Sequence, residues 1–202
     1  MRSADLKERL VEAGLQILRE DGAAELTVRR IAEAAGTSTM GVYTRFGGRT
    51  GILESIYDRG FELLREAFSA LPDNPDPIGR ICDLGQAYRR FGLSNPALYA
   101  FLFERPLPDF DPDPTARWQA LSSTFGVLVA AVSAATAAGK LATGPEPLHT
   151  AYLIWCIAHG LVSLELTHAV RRPLPEWFVS GPEEGERVFL DGIRAILAGL
   201  RA

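Results

Sequence analysis

The sequence predicts an all-α protein, and three observations about its residues support that prediction. The chain has 202 residues, 47% of them hydrophobic, and it is rich in alanine and leucine, which favour helix. Apolar residues recur at intervals of three and four along most of the chain, which is the spacing of one helical face. No alternation of apolar and polar residues is long enough to predict a strand. We therefore expect about nine helices around a sizeable core.

The first predicted helix runs from Ala4 to Glu20 and ends at Asp21-Gly22. Its apolar residues recur at helical intervals and share one face. They are Leu6, Leu10, Ala13 and Ile17. This helix is expected to support the two short helices that follow it, so that the three form one N-terminal unit.

Two short helices separated by a glycine are predicted between Thr27 and Phe46. Thr27 can cap the first helix, because its hydroxyl can accept a hydrogen bond from a free backbone N–H group. Gly36 can adopt the left-handed conformation that ends a helix, and Ser38 can cap the second helix. The second helix is expected to bury Val42 and Phe46. This is the layout of a helix-turn-helix, whose second helix enters the DNA major groove; a hairpin that only packs is the alternative.

The charge and the side chains of this segment suit DNA. Within Thr27–Arg49, four arginines and one glutamate give a net charge of +3, whereas the whole chain carries −4. A basic region in an acidic chain is the electrostatic footprint expected of DNA contact. Hydroxyl, thioether and guanidinium groups can reach base edges or phosphates, and a glycine lets the helix approach closely. The predicted DNA-binding residues are Thr27, Arg29, Ser38, Thr39, Met40, Gly41, Tyr43, Thr44, Arg45 and Arg49.

The order of residues in LTVRRIAEAAG and VYTRFGGRTGIL resembles the DNA-binding domain of the tetracycline-repressor (TetR) family of transcription regulators. The spacing Tyr43-x-x-Phe46-x-x-Arg49 is the most specific part. The chain departs from the family pattern where Thr37 replaces an apolar turn residue, Arg45 replaces His or another aromatic residue, and Arg49 replaces Lys. Arg49 can still bind a phosphate, so the departures affect the preference for bases more than the binding itself.

A fourth helix is predicted from Arg49 to about Ala70, and at roughly 30 Å it is long enough to leave one domain and enter the next. We predict a helix-turn-helix domain at residues 1–48 and a helical-bundle domain for ligand binding and dimerisation at residues 49–202. The segment 106–114 contains four prolines and is predicted to be a surface loop. The remaining helices are expected near 78–93, 97–104, 116–138, 148–171 and 183–200.

The last two long helices are apolar on more than one face, and the second face is expected to be buried against another surface. A two-fold four-helix interface between two copies of the chain would bury this face. Burial of both faces within one chain is the alternative. Helix-turn-helix proteins usually pair to bind half-sites about 34–36 Å apart. The TetR resemblance implies the same homodimer. The predicted interface residues are Leu161, Leu164, His168, Ile193, Ile196, Leu197 and Leu200.

Aromatic residues of the second domain predict a cavity for a small apolar effector. Such pockets are mostly apolar with a few polar groups, although the same residues are also typical of a simple core. The run Trp155-x-x-x-His159-Gly160 resembles a TetR subgroup marked by Trp, His and Gly, and His159 either lines the cavity or lies in the core. The predicted ligand-binding residues are Phe68, Tyr88, Phe91, Tyr99, Phe103, Trp118, Phe125, Trp155 and His159.

No catalytic motif is visible, so the sequence predicts neither an enzyme, nor a cofactor, nor a metal site. His159 and His168 are nine residues apart and do not share a helical face as metal ligands would. HExxH, GxSxG and phosphate-loop motifs are all missing. The N-terminus is charged, and no apolar run reaches the ~18–20 residues of a membrane span. A cytoplasmic location without a membrane partner follows.

The sequence therefore predicts a ligand-responsive transcription regulator. We expect a homodimeric repressor that binds a palindromic double-stranded DNA operator and is released by a small apolar effector. The alternative is a helical protein-interaction module that does not bind DNA, which Thr37 and Arg45 would support. A salt titration separates the two, because binding through phosphate contacts weakens steeply as salt rises.

Overall fold

The computed structural model describes residues 3–142, 146–171 and 174–201, and the chain is helical with no strand in these ranges. A 3-10 turn at Ala23–Glu25 precedes α2, and a π-helical segment at Leu166–Arg171 continues α8. The predicted all-α fold with about nine helices is confirmed. The described α-helices are α1 (Ser3–Asp21), α2 (Val28–Ala34), α3 (Thr39–Phe46), α4 (Arg49–Ser69), α5 (Pro77–Ser94), α6 (Pro96–Phe103), α7 (Pro114–Ala137), α8 (Pro147–Glu165) and α9 (Pro182–Gly199).

The helices pack into two compact units. The first comprises Met1–Leu63 and Asn95–Leu121, and the second comprises Leu64–Ser94 and Ser122–Ala202. Helices α4 and α7 each contribute residues to both units. These units are defined by the packing of the helices. The predicted boundary after residue 48 divides the chain by function instead, and it stays a prediction.

The core of the first unit joins α1, α2 and α4 to an aromatic cluster on α6. Tyr57 and Phe61 of α4 have ring centroids 5.1 Å apart, and Phe61 meets Phe103 edge-on at 5.6 Å. Tyr99, fully buried, packs against Phe103 at 5.1 Å. Tyr99 and Phe103 therefore belong to the core of the first unit. Their assignment to a ligand cavity of the predicted second domain, residues 49–202, stays a prediction.

The segment between α6 and α7 is anchored more firmly than a surface loop was expected to be. Leu107 and Phe110 are buried, and the Phe110 ring stacks parallel to Phe101 with centroids 5.6 Å apart. Asp111 forms ion pairs with Arg105 at 2.8 Å and with Arg117 at 3.0 Å. We call residues 104–113 the acidic loop. Leu107, Phe110 and Pro112 of this loop are buried, while its aspartates stay on the surface.

The second unit is built from α5, α8, the π-helical segment and α9. A Cβ atom at Gly85 of α5 would lie 3.3 Å from the Phe189 ring, so the two helices pack closely. Arg89 of α5 and Glu165 at the end of α8 form a buried pair, with the Arg89 Nε atom 2.8 Å from one carboxylate oxygen. The Arg89 Nη2 atom lies 2.7 Å from the other oxygen, and it also donates to the Pro182 carbonyl at 2.9 Å.

Two helices are apolar enough, by length and composition, to cross a membrane. They are Pro114–Ala137 and Pro147–Arg171, whose most apolar windows have mean hydropathies of 1.6 and 1.4. The expectation that no segment would reach this length was therefore wrong. One or two such helices are only a weak indication of a membrane span, because core helices of globular proteins pass the same test.

Candidate nucleic-acid interface

Helix α2 begins and ends where local chemistry predicts. The Thr27 hydroxyl accepts a hydrogen bond from the Arg30 backbone N–H at 3.2 Å, which confirms the predicted cap. After α2, Gly36 adopts a φ of +66°. The Gly36 N–H donates to the Glu33 carbonyl at 3.1 Å, and the Thr37 N–H donates to the Ala32 carbonyl at 2.9 Å. These two bonds form the Schellman motif, so the turn into α3 is held by the backbone.

The start of α3 differs from the prediction. Ser38 occupies the N-cap position, with φ −86° and ψ 160°, but its side chain makes no capping hydrogen bond. A Cβ atom at Gly41 would lie only 2.8 Å from the Thr37 Oγ1 atom. Gly41 therefore makes room for the Thr37 side chain, and its role in close approach to DNA stays a prediction. Ser38 therefore occupies the predicted cap position but does not form the predicted hydrogen bond.

One face of α3 is anchored in the first unit. Val42 is fully buried, as predicted. Phe46 was expected to be buried as well but is only half-buried, and the Lys7 ammonium lies 5.7 Å from its ring centroid, within the range of a cation–π contact. Gly47 ends the helix with a φ of +73°, and its N–H donates to the Tyr43 carbonyl at 3.0 Å.

The opposite face of α3 presents a row of exposed side chains. Met40 is 67% exposed and Tyr43 is 54% exposed, and Thr39 and Thr44 are exposed beside them. The Thr44 hydroxyl donates to the Met40 carbonyl at 2.7 Å. Its lone pairs remain available, so Thr44 can accept a hydrogen bond from a base amino group. The structure thus brings four of the predicted DNA-binding residues together on one surface.

The arginines of α2 differ in their surroundings. Arg29 is exposed. Arg30 is held by Glu25 and Asp21, each 2.6 Å from a guanidinium nitrogen. The hydrogen bond to Glu25, reinforced by the charge of Asp21, raises the pKa of Arg30 above its ordinary value. Two acidic side chains therefore neutralise Arg30, and the positive charge that α2 offers comes from Arg29.

The two arginines that follow are also engaged by the protein. Arg45 is half-buried and lies back along α3, with its Nη1 atom 3.5 Å from the Gly41 carbonyl and its Nε atom buried. Arg49, the first residue of α4, forms an ion pair with Asp109 of the acidic loop at 2.7 Å. Asp109 is not among the residues predicted from the sequence. The run of aspartates in PDFDPD marked the segment as charged, but nothing in the sequence pointed to Arg49.

The predicted ligand-binding residues are divided between the two units. Tyr99 and Phe103 lie in the first unit, and Trp118, also in the first unit, is 64% exposed. The remaining six belong to the second unit, where Phe68, Tyr88 and Phe91 are buried. Trp118 is therefore a poor candidate for the wall of an enclosed cavity.

Four of these second-unit residues are linked by successive contacts. The Tyr88 hydroxyl lies 2.9 Å from the His159 Nδ1 atom. The Trp155 ring lies 5.7 Å from His159 and 5.9 Å from Phe125, measured between centroids. We call these residues the Tyr88–His159 cluster. It combines aromatic surface with two groups that can form hydrogen bonds.

The predicted dimer residues also separate into two sets. Ile193 and Leu197 are buried, with 1% and 4% exposed, so they pack inside their own chain and their prediction as interface residues was wrong. Leu164 is 55% exposed, and Ile157, which was not in the predicted set, is 40% exposed. The others are partly exposed: Leu161, His168, Ile196 and Leu200. Helix α8 therefore supplies more of the available apolar surface than α9.

Two family models match the chain. The one described as bacterial regulatory proteins, tetR family, matches residues 10–56, which include α2 and α3. The one described as tetracyclin repressor-like, C-terminal domain, matches residues 81–176. The chain belongs to the TetR family. It is therefore a DNA-binding transcription regulator and not an enzyme.

Individual relatives agree with this assignment. The HTH-type transcriptional regulator Rv1816 of Mycobacterium tuberculosis is 24% identical, with 80% of each chain covered. A solved structure of a protein from Rhodococcus sp. RHA1 has a TM-score of 0.77 at 22% identity, and covers 98% of this chain and 95% of its own. A TetR-family regulator from Shewanella sp. PV-4 has a TM-score of 0.70 at 18% identity, with 98% of each chain covered. The two structures share the fold of this TetR protein.

Proposed function

We propose that this TetR protein is a ligand-responsive repressor that binds a palindromic operator as a homodimer. The observation that carries the proposal is the exposed face of α3, where Thr39, Met40, Tyr43 and Thr44 stand out from a helix whose other face is anchored. The Schellman turn before α3 fixes its direction through backbone hydrogen bonds. A rigid helix with such a face suits the major groove.

The DNA contacts would divide between bases and phosphates. Hydroxyl groups and the Met40 thioether would meet base edges and thymine methyl groups. Thr27, Tyr43 and Arg49 would position the DNA backbone. The predicted major-groove residues remain Arg29, Thr39, Met40, Tyr43, Thr44 and Arg45. If Arg45 leaves its position against α3 to pair with a base, Arg45→Ala should weaken specific binding by roughly 1–3 kcal/mol. An unchanged affinity would remove Arg45 from the base-reading residues.

The homodimer would form through the apolar surface of α8. Leu164 and Ile157 are exposed on this helix, and exposed apolar surface of this kind marks an interaction site. A two-fold contact between two copies would place the same surface of each chain against the other. Sedimentation of Leu164→Glu should then show a loss of the dimer, whereas the exposed polar change Ser180→Glu should not.

The protein would act in the cytoplasm. Its effector would bind in the second domain, at the Tyr88–His159 cluster. Phe125 and Trp155 offer apolar contact, and the Tyr88 hydroxyl and the His159 ring are the polar groups beside them. This suits a small, largely apolar molecule with a polar group. Binding would act on the DNA domain through α4, which is continuous from Arg49 to Ser69. A coupling of about 1–3 kcal/mol is enough for such a response.

Selection of bound duplexes from a random pool by the purified protein tests the proposal. We expect enrichment of a palindrome whose half-sites are about one helical turn apart or a multiple of that. Affinity for the enriched duplex should fall steeply as salt rises, because phosphate contacts release counterions. Absence of enrichment at low salt would refute the proposal and leave the protein-interaction module as the alternative.

A further inference from the structure

The Arg49–Asp109 ion pair joins the residue proposed to hold a DNA phosphate to an acidic side chain of the same unit. Arg49 is the first residue of α4, and its Nη1 atom lies 2.7 Å from the Asp109 Oδ2 atom. The Arg49 side chain is 33% exposed and the Asp109 side chain 68% exposed, so the pair lies at the surface. DNA can therefore reach the same guanidinium group only in competition with Asp109.

The position of Asp109 is determined by the anchored residues around it. Phe110, its neighbour in the chain, is buried and stacks on Phe101. Asp111 is held between Arg105 and Arg117 by two ion pairs. The acidic loop is thus fixed to the first unit on the C-terminal side of Asp109. Its carboxylate is presented at the start of α4 by packing.

We infer that Asp109 is an internal phosphate mimic that occupies Arg49 and lowers the affinity of the protein for DNA. A carboxylate and a phosphate offer the same guanidinium group a pair of anionic oxygens in similar geometry, so the two compete. The inference rests on the proposed function, in which Arg49 contacts the DNA backbone. It adds a regulatory contact within the first unit, since any event that moves the acidic loop away from Arg49 increases DNA affinity.

The size of the effect follows from the exposure of the pair. Ion pairs at the surface typically shift an equilibrium by about 1.4- to fivefold. Asp109→Asn keeps the shape of the side chain and removes its charge, so DNA binding should tighten by that factor for each Arg49 that meets a phosphate. A dimer on one duplex would show about a two- to 25-fold change, because the two contributions multiply.

The experiment measures binding of the full chain to a labelled random-sequence duplex of about 30 base pairs, long enough for two half-sites. A random sequence suffices because phosphate contacts do not depend on sequence. The proteins are the wild type, Asp109→Asn, Arg49→Ala and the double variant. Asp73→Asn is the matched control, since it removes the same charge at an exposed position of the second unit. Thermal melts confirm that each variant is folded.

Asp109→Asn should tighten binding in the wild-type background and have no effect in the Arg49→Ala background. Tightening that is equal in both backgrounds, or equal to that of Asp73→Asn, would overturn the inference, because it would reflect long-range repulsion of DNA. Wild-type affinity in Arg49→Ala would overturn it too, by removing Arg49 from the phosphate contacts while leaving DNA binding intact. Failure of the wild type itself to bind at low salt would instead be a failure of the proposed function.

Discussion

Removing the charge of Glu165 should destabilise the second unit more than any change at its surface. Glu165 and Arg89 are both 7% exposed and form two short hydrogen bonds with each other. Glu165→Gln leaves the Arg89 guanidinium buried without a counter-charge and turns an amide NH₂ group toward one of its donors. Breaking a buried pair on one side costs about 3–5 kcal/mol. For a chain of this length, that loss corresponds to a fall in Tm of about 6–20 °C.

Urea and thermal unfolding followed by circular dichroism measure this loss. Glu186→Gln is the matched control, because Glu186 is exposed and its change should stay within about 0.5 kcal/mol of the wild type. The double variant Arg89→Met with Glu165→Leu should recover most of the stability, since apolar residues of similar size remove both charges. A free energy of unfolding for Glu165→Gln within about 1 kcal/mol of the wild type would show that the pair is not desolvated, and would refute the reasoning.

Three further predictions concern the first unit. Thr27→Ala should lower the free energy of unfolding by about 1 kcal/mol in urea melts, because it removes the cap of α2, whereas Ser38→Ala should change it little. Gly41→Ala should destabilise the protein in the same assay, and adding Thr37→Ala should restore it by removing the side chain that the new methyl group meets. Burial raises the pKa of Tyr57 to about 12. The unfolded chain therefore loses this proton first, and the free energy of unfolding should fall by about 2 kcal/mol between pH 10 and 12; the loss should be smaller in Tyr57→Phe.

The features that could be predicted from the sequence are those that depend on neighbouring residues. The cap at Thr27 and the left-handed Gly36 are local, because each depends on backbone groups within five residues. The buried Val42 follows from helical periodicity in the same way. These local signals were enough to place α2 and α3 and to identify the exposed face of α3.

The features that could not be predicted depend on contacts between distant residues. Arg49 and Asp109 are sixty residues apart, and no local pattern joins them. Periodicity marked Ile193 and Leu197 as apolar, but it does not tell whether the same chain or a partner buries them. Tyr99 has the side chain of a cavity residue, but it lies in a different unit from Tyr88, Phe125 and Trp155, which were proposed with it. Ser38 shows that a suitable residue at an N-cap need not form the bond.

Gly185, in the first turn of α9, leaves the space that the buried ion pair occupies. A Cβ atom there would overlap the Glu165 carboxylate and lie 2.9 Å from the Arg89 Nη2 atom. A mutation of Gly185 to alanine is therefore blocked while the pair persists, and loss of either charged residue alone is blocked by the other. Arg89 and Glu165 can therefore be replaced together by apolar residues, whereas Gly185 can gain a side chain only once the Glu165 carboxylate no longer occupies that space.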